Sequence, residues 1–277
     1  ASQPGYECCT FRGSLAALDA ATGAVTWKTY TIPEAKPVGT NAQGTKLFAP
    51  AGVGIWSSPT IDRKRNLVYV TTGNTYAGTT AEPNTDALLA LDPATGAIKW
   101  ARQFTQNDVF GCRAGTANCL EKAGPDHDFG TPAMLVTRKD GRDVILLGQK
   151  SGIAYAVDPD RQGEILWQYR AGEGSIWGGI QWGMSTDGEL LYIPVSDIRT
   201  PKPAGLHAVD IITGQRAWYQ PPPALKCTPG TATCNAALIS APTLVPGVLF
   251  SGSNDGGLRA YGTRDGSVLW EFDTNQD

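Results

Sequence analysis

Short apolar runs alternate with polar turns along the whole chain, and one pattern recurs five times. The copies are ALDAATGAVTW (Ala17–Trp27), ALDPATGAIKW (Ala90–Trp100), AVDPDRQGEILW (Ala156–Trp167), AVDIITGQRAW (Ala208–Trp218) and AYGTRDGSVLW (Ala260–Trp270). Each predicts a strand, a tight turn centred on Gly, and a second strand ending in Trp. Two more short apolar runs stand ahead of most copies: WSSPTI and NLVYVTT before the second, TPAMLV and DVILLG before the third, APTLV and GVLFSG before the fifth. The tryptophans are spaced 73, 67, 51 and 52 residues apart. Four antiparallel strands at a period of about 50 predict an all-β fold of propeller blades. One blade cannot bury both of its faces, so neighbours must stack. Trp27, Trp100, Trp167, Trp218 and Trp270 are therefore expected to dock blades, each burial contributing about 2–3 kcal/mol. The first copy supplies only the last two strands of a blade, which makes about four and a half blades in one domain over residues 1–277. Open blade edges invite aggregation, so the chain is expected to be an excerpt of a larger ring, the alternative being that a partner supplies the rest.

Composition narrows the classes. Hydrophobic residues at 41% support a buried core, and Gly 33 with Pro 19 fits frequent turns. Charged residues at 18% are too few for a coiled coil. A net charge of -3 without a Lys/Arg run excludes a nucleic-acid footprint. No run of about 18 apolar residues offers a membrane span. The opening ASQPGYE lacks the basic start and apolar run of a secretory leader. The six cysteines form close pairs, Cys8/Cys9, Cys112/Cys119 and Cys227/Cys234, the last two in the matching loops CRAGTANC and CTPGTATC. Local disulfides are the expected reading, which points to the periplasm or the outside of the cell. Free thiols and a zinc site are the alternatives, but clustered zinc spacing is missing.

Three tryptophans fall outside the repeat: Trp56, Trp177 and Trp182. Trp56 (GIWSSPT) and Trp182 (GGIQWGMST) are expected to open first strands, where an aromatic either plugs a central channel or stacks on a flat ligand. In a four-stranded meander the start of the first strand and the end of the second share one rim. That rim gathers Glu7, Trp56, Asn74, Asp126, Asp128 and Lys150. A solvated polar rim is the competing reading.

On these residues the chain resembles the pyrroloquinoline quinone (PQQ)-dependent alcohol dehydrogenases. The resemblance rests on TFRGSLAALDAATGAVTW, GIWSSPTIDRKRNLVYVTTGN, PDHDFGTPAML, GQKSGIAYAVD and GSNDGGLRAYGTRDGSVLWEFDT, and spans essentially the whole chain. It implies an eight-bladed ring that oxidises alcohols, with polyvinyl alcohol as the nearest substrate type and a cytochrome c as electron acceptor. Residue by residue, it implies that Trp56 stacks beneath PQQ, that Asn74 and Glu7 ligate Ca2+ together with Asp126, that Asp126 is the base, and that Lys150 contacts the quinone oxygens. Trp182 joins the cofactor-binding set. Two departures stand out. The family's Trp before the base is Pro125 here, which leaves Asp128 as an alternative base. The Cys8–Cys9 pair precedes this repeat, whereas the family carries its adjacent cysteines on an earlier blade. A non-catalytic scaffold propeller and a glucose or polyol dehydrogenase are the competing functions.

Overall fold

The structure is a computed structural model and describes residues 10–40, 44, 46–77, 82–111, 123–198, 200, 205–227 and 234–275. The chain divides into two compact units, Ala1–Ala133 and Met134–Asp277. Among the described residues the only helical element is a single turn, Pro159–Arg161. No helix is long and apolar enough to cross a membrane.

In the first unit, strands Thr60–Asp62, Leu67–Thr71, Ala87–Leu91 and Ile98–Gln103 form an antiparallel sheet in chain order. The first repeat supplies a two-stranded sheet, Ser14–Leu18 with Val25–Tyr30. Two small pairs that the repeat did not announce lie between Trp27 and Trp100: Lys36–Thr40 with Lys46–Ala49, and Ala51–Gly52 with Thr75–Ala77. They account for the long first spacing. The second unit holds three four-stranded antiparallel sheets. The first is Met134–Thr137, Asp143–Gly148, Ile153–Asp158 and Glu164–Arg170. The next runs through Ser185–Thr186, Leu190–Val195, Gly205–Asp210 and Arg216–Gln220. The last is Thr243–Val245, Val248–Gly252, Gly257–Gly262 and Val268–Asp273. Four complete sheets and one half match the sequence expectation.

Burial explains the hydrophobic pattern. Second and third strands such as Ala87–Leu91 and Leu190–Val195 are buried almost throughout, because both faces are covered. Fourth strands such as Glu164–Arg170 alternate, with Trp167 and Tyr169 turned inward. The turns are built alike. The Asp92 carboxylate accepts the N–H groups of Ala94 and Thr95, and Gly96 adopts the left-handed backbone that a side chain disfavours. At three of these turns the glycine is also a landing place for the preceding tryptophan. Trp27 covers Gly96 and donates its indole N–H to the Pro93 carbonyl at 2.9 Å. Trp167 covers Gly214 and donates to Ile211 O at 3.0 Å; Trp218 covers Gly266 and donates to Thr263 O at 2.9 Å. These tryptophans thus dock consecutive repeats, as expected. Trp270 is 48% exposed and stacks on Phe272.

One expectation is corrected. Trp56 and Trp182 do not open strands; the strands begin later, at Thr60 and Ser185. Pro59 has no N–H for the ladder, and Gly183 takes a positive φ of 154°, so both tryptophans sit in irregular chain ahead of their sheets.

Candidate functional site

In the first unit the chain leaving strand Leu67–Thr71 passes through Thr72, Gly73 and Asn74. Gly73 is the meeting point. A Cβ there would collide with the Asp128 carboxylate and lie 3.3 Å from the Trp56 indole nitrogen. Only glycine lets those two groups close on the backbone. Trp56 is 40% exposed. The Asn74 backbone N–H donates to Asp128 Oδ1 at 2.6 Å. Its side-chain NH2 donates to the carbonyls of Thr75 (2.9 Å) and Phe110 (2.5 Å). With both N–H bonds directed to carbonyls, Oδ1 is the end of the buried amide left to accept or ligate.

Asp126 and Asp128 are both buried, on a segment anchored by Phe129. The Phe129 N–H donates to Thr72 O at 3.3 Å, and its ring meets Phe104 edge-on, centroids 5.1 Å apart. Asp126 itself has a left-handed backbone, φ 61°. The conformation is held from behind by Asp108, which is fully buried. Asp108 Oδ1 accepts the Asp126 N–H at 3.0 Å and Oδ2 accepts the His127 N–H at 2.6 Å.

A fourth acid, Asp86, is fully buried, and among the described residues neither carboxyl oxygen has a hydrogen-bond partner. Burial, then the neighbouring carboxylates of Asp108, Asp128 and Asp126, push it up to about 10. Both causes favour the neutral form of Asp86. Sequence reasoning missed Asp86 and Asp108. The available signal was an acid directly flanking a wholly apolar strand (Asp86, before ALLAL) and one inside an apolar turn (Asp108, in NDVFG).

In the second unit Lys150 follows strand Asp143–Gly148 and is 5% exposed. Its carbonyl accepts the Ser175 N–H at 3.3 Å. The Gly172–Gly179 loop beside it is stapled by Asp197, whose carboxylate accepts the N–H groups of Glu173 (2.7 Å), Gly174 (3.1 Å) and Gly179 (2.6 Å). Trp177 and Trp182 are half exposed. Cys227 and Cys234 form the expected disulfide. Glu7, Cys8, Cys9, Cys112 and Cys119 lie outside the described residues.

The first-unit arrangement fits a cation. Buried acids crowd together, and the Asn74 backbone is bonded to one of them, so an amide oxygen and carboxylates lie in one neighbourhood. That all-oxygen donor chemistry suits Ca2+. Among the described residues no three His, Cys, Asp or Glu side chains are arranged to hold a metal by themselves. A cation here would thus draw on Asn74 Oδ1 and on groups beyond these acids. The exposed indole of Trp56 beside Gly73 suits a flat ligand.

An all-β chain of tryptophan-docked, four-stranded sheets, with an indole, an amide and carboxylates gathered at the end of one sheet, has the build of a cofactor-binding propeller. The chain belongs to the PQQ family of the glucose/ethanol/alcohol dehydrogenase β-propeller domain, whose model matches residues 4–170. The model of the outer membrane protein assembly factor BamB matches residues 149–277. The chain is 46% identical over 274 residues to a polyvinylalcohol dehydrogenase of a Pseudomonas species, covering 97% of this chain and 43% of that protein. It is 40% identical over 283 residues to the polyvinylalcohol dehydrogenase of Sphingopyxis sp. strain 113P3, covering 98% and 43%. It therefore spans less than half the length of these relatives. The crystal structure of quinohemoprotein alcohol dehydrogenase from Comamonas testosteroni shares the fold, with a TM-score of 0.67 at 20% identity over 96% of this chain and 49% of that one.

Proposed function

We propose that this chain carries the cofactor site of a PQQ- and Ca2+-dependent alcohol dehydrogenase acting on secondary hydroxyls, such as those of polyvinyl alcohol, with a cytochrome c as electron acceptor. The observation that carries the reading is the convergence of Trp56, Asn74 and Asp128 on Gly73, with Asp126 two residues from Asp128. Identity of 46% and 40% to two polyvinylalcohol dehydrogenases supports the substrate class. The Cys227–Cys234 disulfide supports a periplasmic or extracellular setting.

Bound PQQ supplies a two-electron oxidant, and Ca2+ polarises its quinone carbonyl. The chain's own residues bind, orient and move one proton. Trp56 offers an apolar floor to the ring system. Asn74 presents Oδ1 to the cation, and Glu7 joins it as the carboxylate ligand. The reading assigns Lys150, whose compact ammonium suits it, as the group that would donate to quinone oxygens, and keeps Trp182 in the cofactor-binding set. Asp126 takes the hydroxyl proton of the alcohol on a carboxylate oxygen as the carbon is oxidised. Asp126 is taken as the base on the resemblance, with Asp128, whose Oδ1 accepts the Asn74 N–H at 2.6 Å, as the alternative. In the holoenzyme, Asp126→Asn is expected to lower turnover by about 10²–10⁴-fold while PQQ absorbance on binding persists. Turnover equal to wild type would refute the assignment.

The BamB match over residues 149–277 favours a second reading, a non-catalytic scaffold. Titration with PQQ and Ca2+ separates the two, since a scaffold binds neither.

A further inference from the structure

We infer that Asp108 is the positioning residue for Asp126: its buried carboxylate clamps the backbone from which the base projects. The inference rests on the assignment of Asp126 as base and adds a residue which that assignment does not contain. Asp108 is fully buried, and each of its oxygens receives one amide, Asp126 N–H at 3.0 Å and His127 N–H at 2.6 Å. Charge-assisted bonds of this kind are about twice as strong as neutral ones. They act where they are needed, because Asp126 holds φ at 61°, a conformation less favourable than the ordinary ones even for an aspartate. Asp108 is itself immobilised. Its carbonyl accepts the Thr75 N–H at 3.2 Å, Val109 O accepts the Gly124 N–H at 2.8 Å, and Phe110 N–H donates to Thr75 O at 2.8 Å. Asn74, one residue before Thr75, is thereby tied to the same frame through Phe110 O. Gly124 is the second half of the clamp. A Cβ there would strike Asp108 Oδ1 and sit 2.6 Å from the Val109 nitrogen. The base and the amide ligand are thus referenced to one short segment, residues 108–110.

The test uses two independent perturbations in the holoenzyme. Asp108→Asn keeps the size but replaces one acceptor by a donor facing an N–H. Gly124→Ala pushes on the carboxylate from the other side. Each is expected to lower kcat by about 10–100-fold, since misplacing a reacting group by about 1 Å costs about that much. KM and PQQ affinity are expected to stay within about twofold, the pattern of an interaction used only in the transition state. Amide hydrogen exchange is the readout independent of turnover. Residues 124–129 are expected to exchange at least about tenfold faster, with Leu67–Thr71 and Ala87–Leu91 unchanged. Normal kcat in both variants, uniform acceleration of exchange, or failure of both to fold would each overturn the positioning role. Asp126→Asn run in parallel separates the two claims. Full turnover in Asp126→Asn overturns the base assignment. An inactive Asp126→Asn beside a fully active Asp108→Asn overturns the clamp alone.

Discussion

Replacing Asp86 by Asn should make the protein more stable at neutral pH, although it alters a fully buried side chain. The wild-type carboxyl is pushed from 3.8 up to about 10 by burial and by the carboxylates of Asp108, Asp128 and Asp126. For an acid whose folded value is raised, the contribution to stability is complete below the unfolded value and is lost as pH rises toward the folded one. The window therefore opens near pH 4 and closes near pH 10. Each pH unit inside it is worth about 1.4 kcal/mol for one proton, so keeping Asp86 protonated at pH 7 costs the folded state about 4 kcal/mol. Asn fills nearly the same volume and has no proton to lose. Asp86→Asn is thus expected to gain up to about 4 kcal/mol at pH 7 and nearly nothing at pH 4. Denaturant unfolding at a series of pH values, in chelator so that no cation shares the site, measures the difference between variant and wild type. A difference that does not grow with pH would refute the reasoning, because then Asp86 either ionises in place or finds a partner.

Two further expectations concern what holds the sheets together. Gly214→Ala forces a side chain into a backbone at φ 71° and 2.7 Å from the Trp167 ring, and is expected to destabilise by about 2–3 kcal/mol. In a Trp167→Ala background the clash disappears and only the backbone part, about 1 kcal/mol, should remain; additive losses in a thermal-melt double-mutant cycle would contradict the docking geometry. Arg259 is fully buried and pairs with Asp255 at 3.0 Å and Glu271 at 2.6 Å. Arg259→Met leaves Asp255 as an uncompensated buried charge and should lose about 3–5 kcal/mol at pH 7. Burial raises Asp255, but bonds from Arg259, Ser253 and the Gly257 and Lys226 amides outweigh it and bring it down to about 2. The pair's stabilisation is present above pH 4 and fades as pH falls toward 2, so an unchanged acid limb in Arg259→Met would sink this account.

The blades were legible in the chain because their information is local. Asp-X-X-Thr-Gly sets a turn by bonds within four residues, as at Asp92 and Gly96, and the repeated Trp marks the fourth strand, although that strand runs on past it, to Arg170 after Trp167, rather than ending there as expected. Trp56, Asn74 and Asp126 stood out in the sequence through the resemblance, and their roles belong to the proposal. Other features were not legible. The late start of the strand at Thr60 came from Pro59 and the irregular chain around Trp56, which apolar spacing does not report. The bond from the Asn74 N–H to Asp128 joins residues 54 apart in sequence, a proximity that no local pattern reports. Asp86 and Asp108 looked like ordinary turn acids.

The sequence alone thus determined the repeat, the strands and turns, and the docking role of Trp27, Trp167 and Trp218. Only the tertiary structure decided which acids are buried together and which of them accepts remote backbone amides. The reason is physical. Turn and strand preferences act over a few residues, whereas the state of a carboxyl depends on water exclusion and on charges brought near it by chain segments that are remote in sequence.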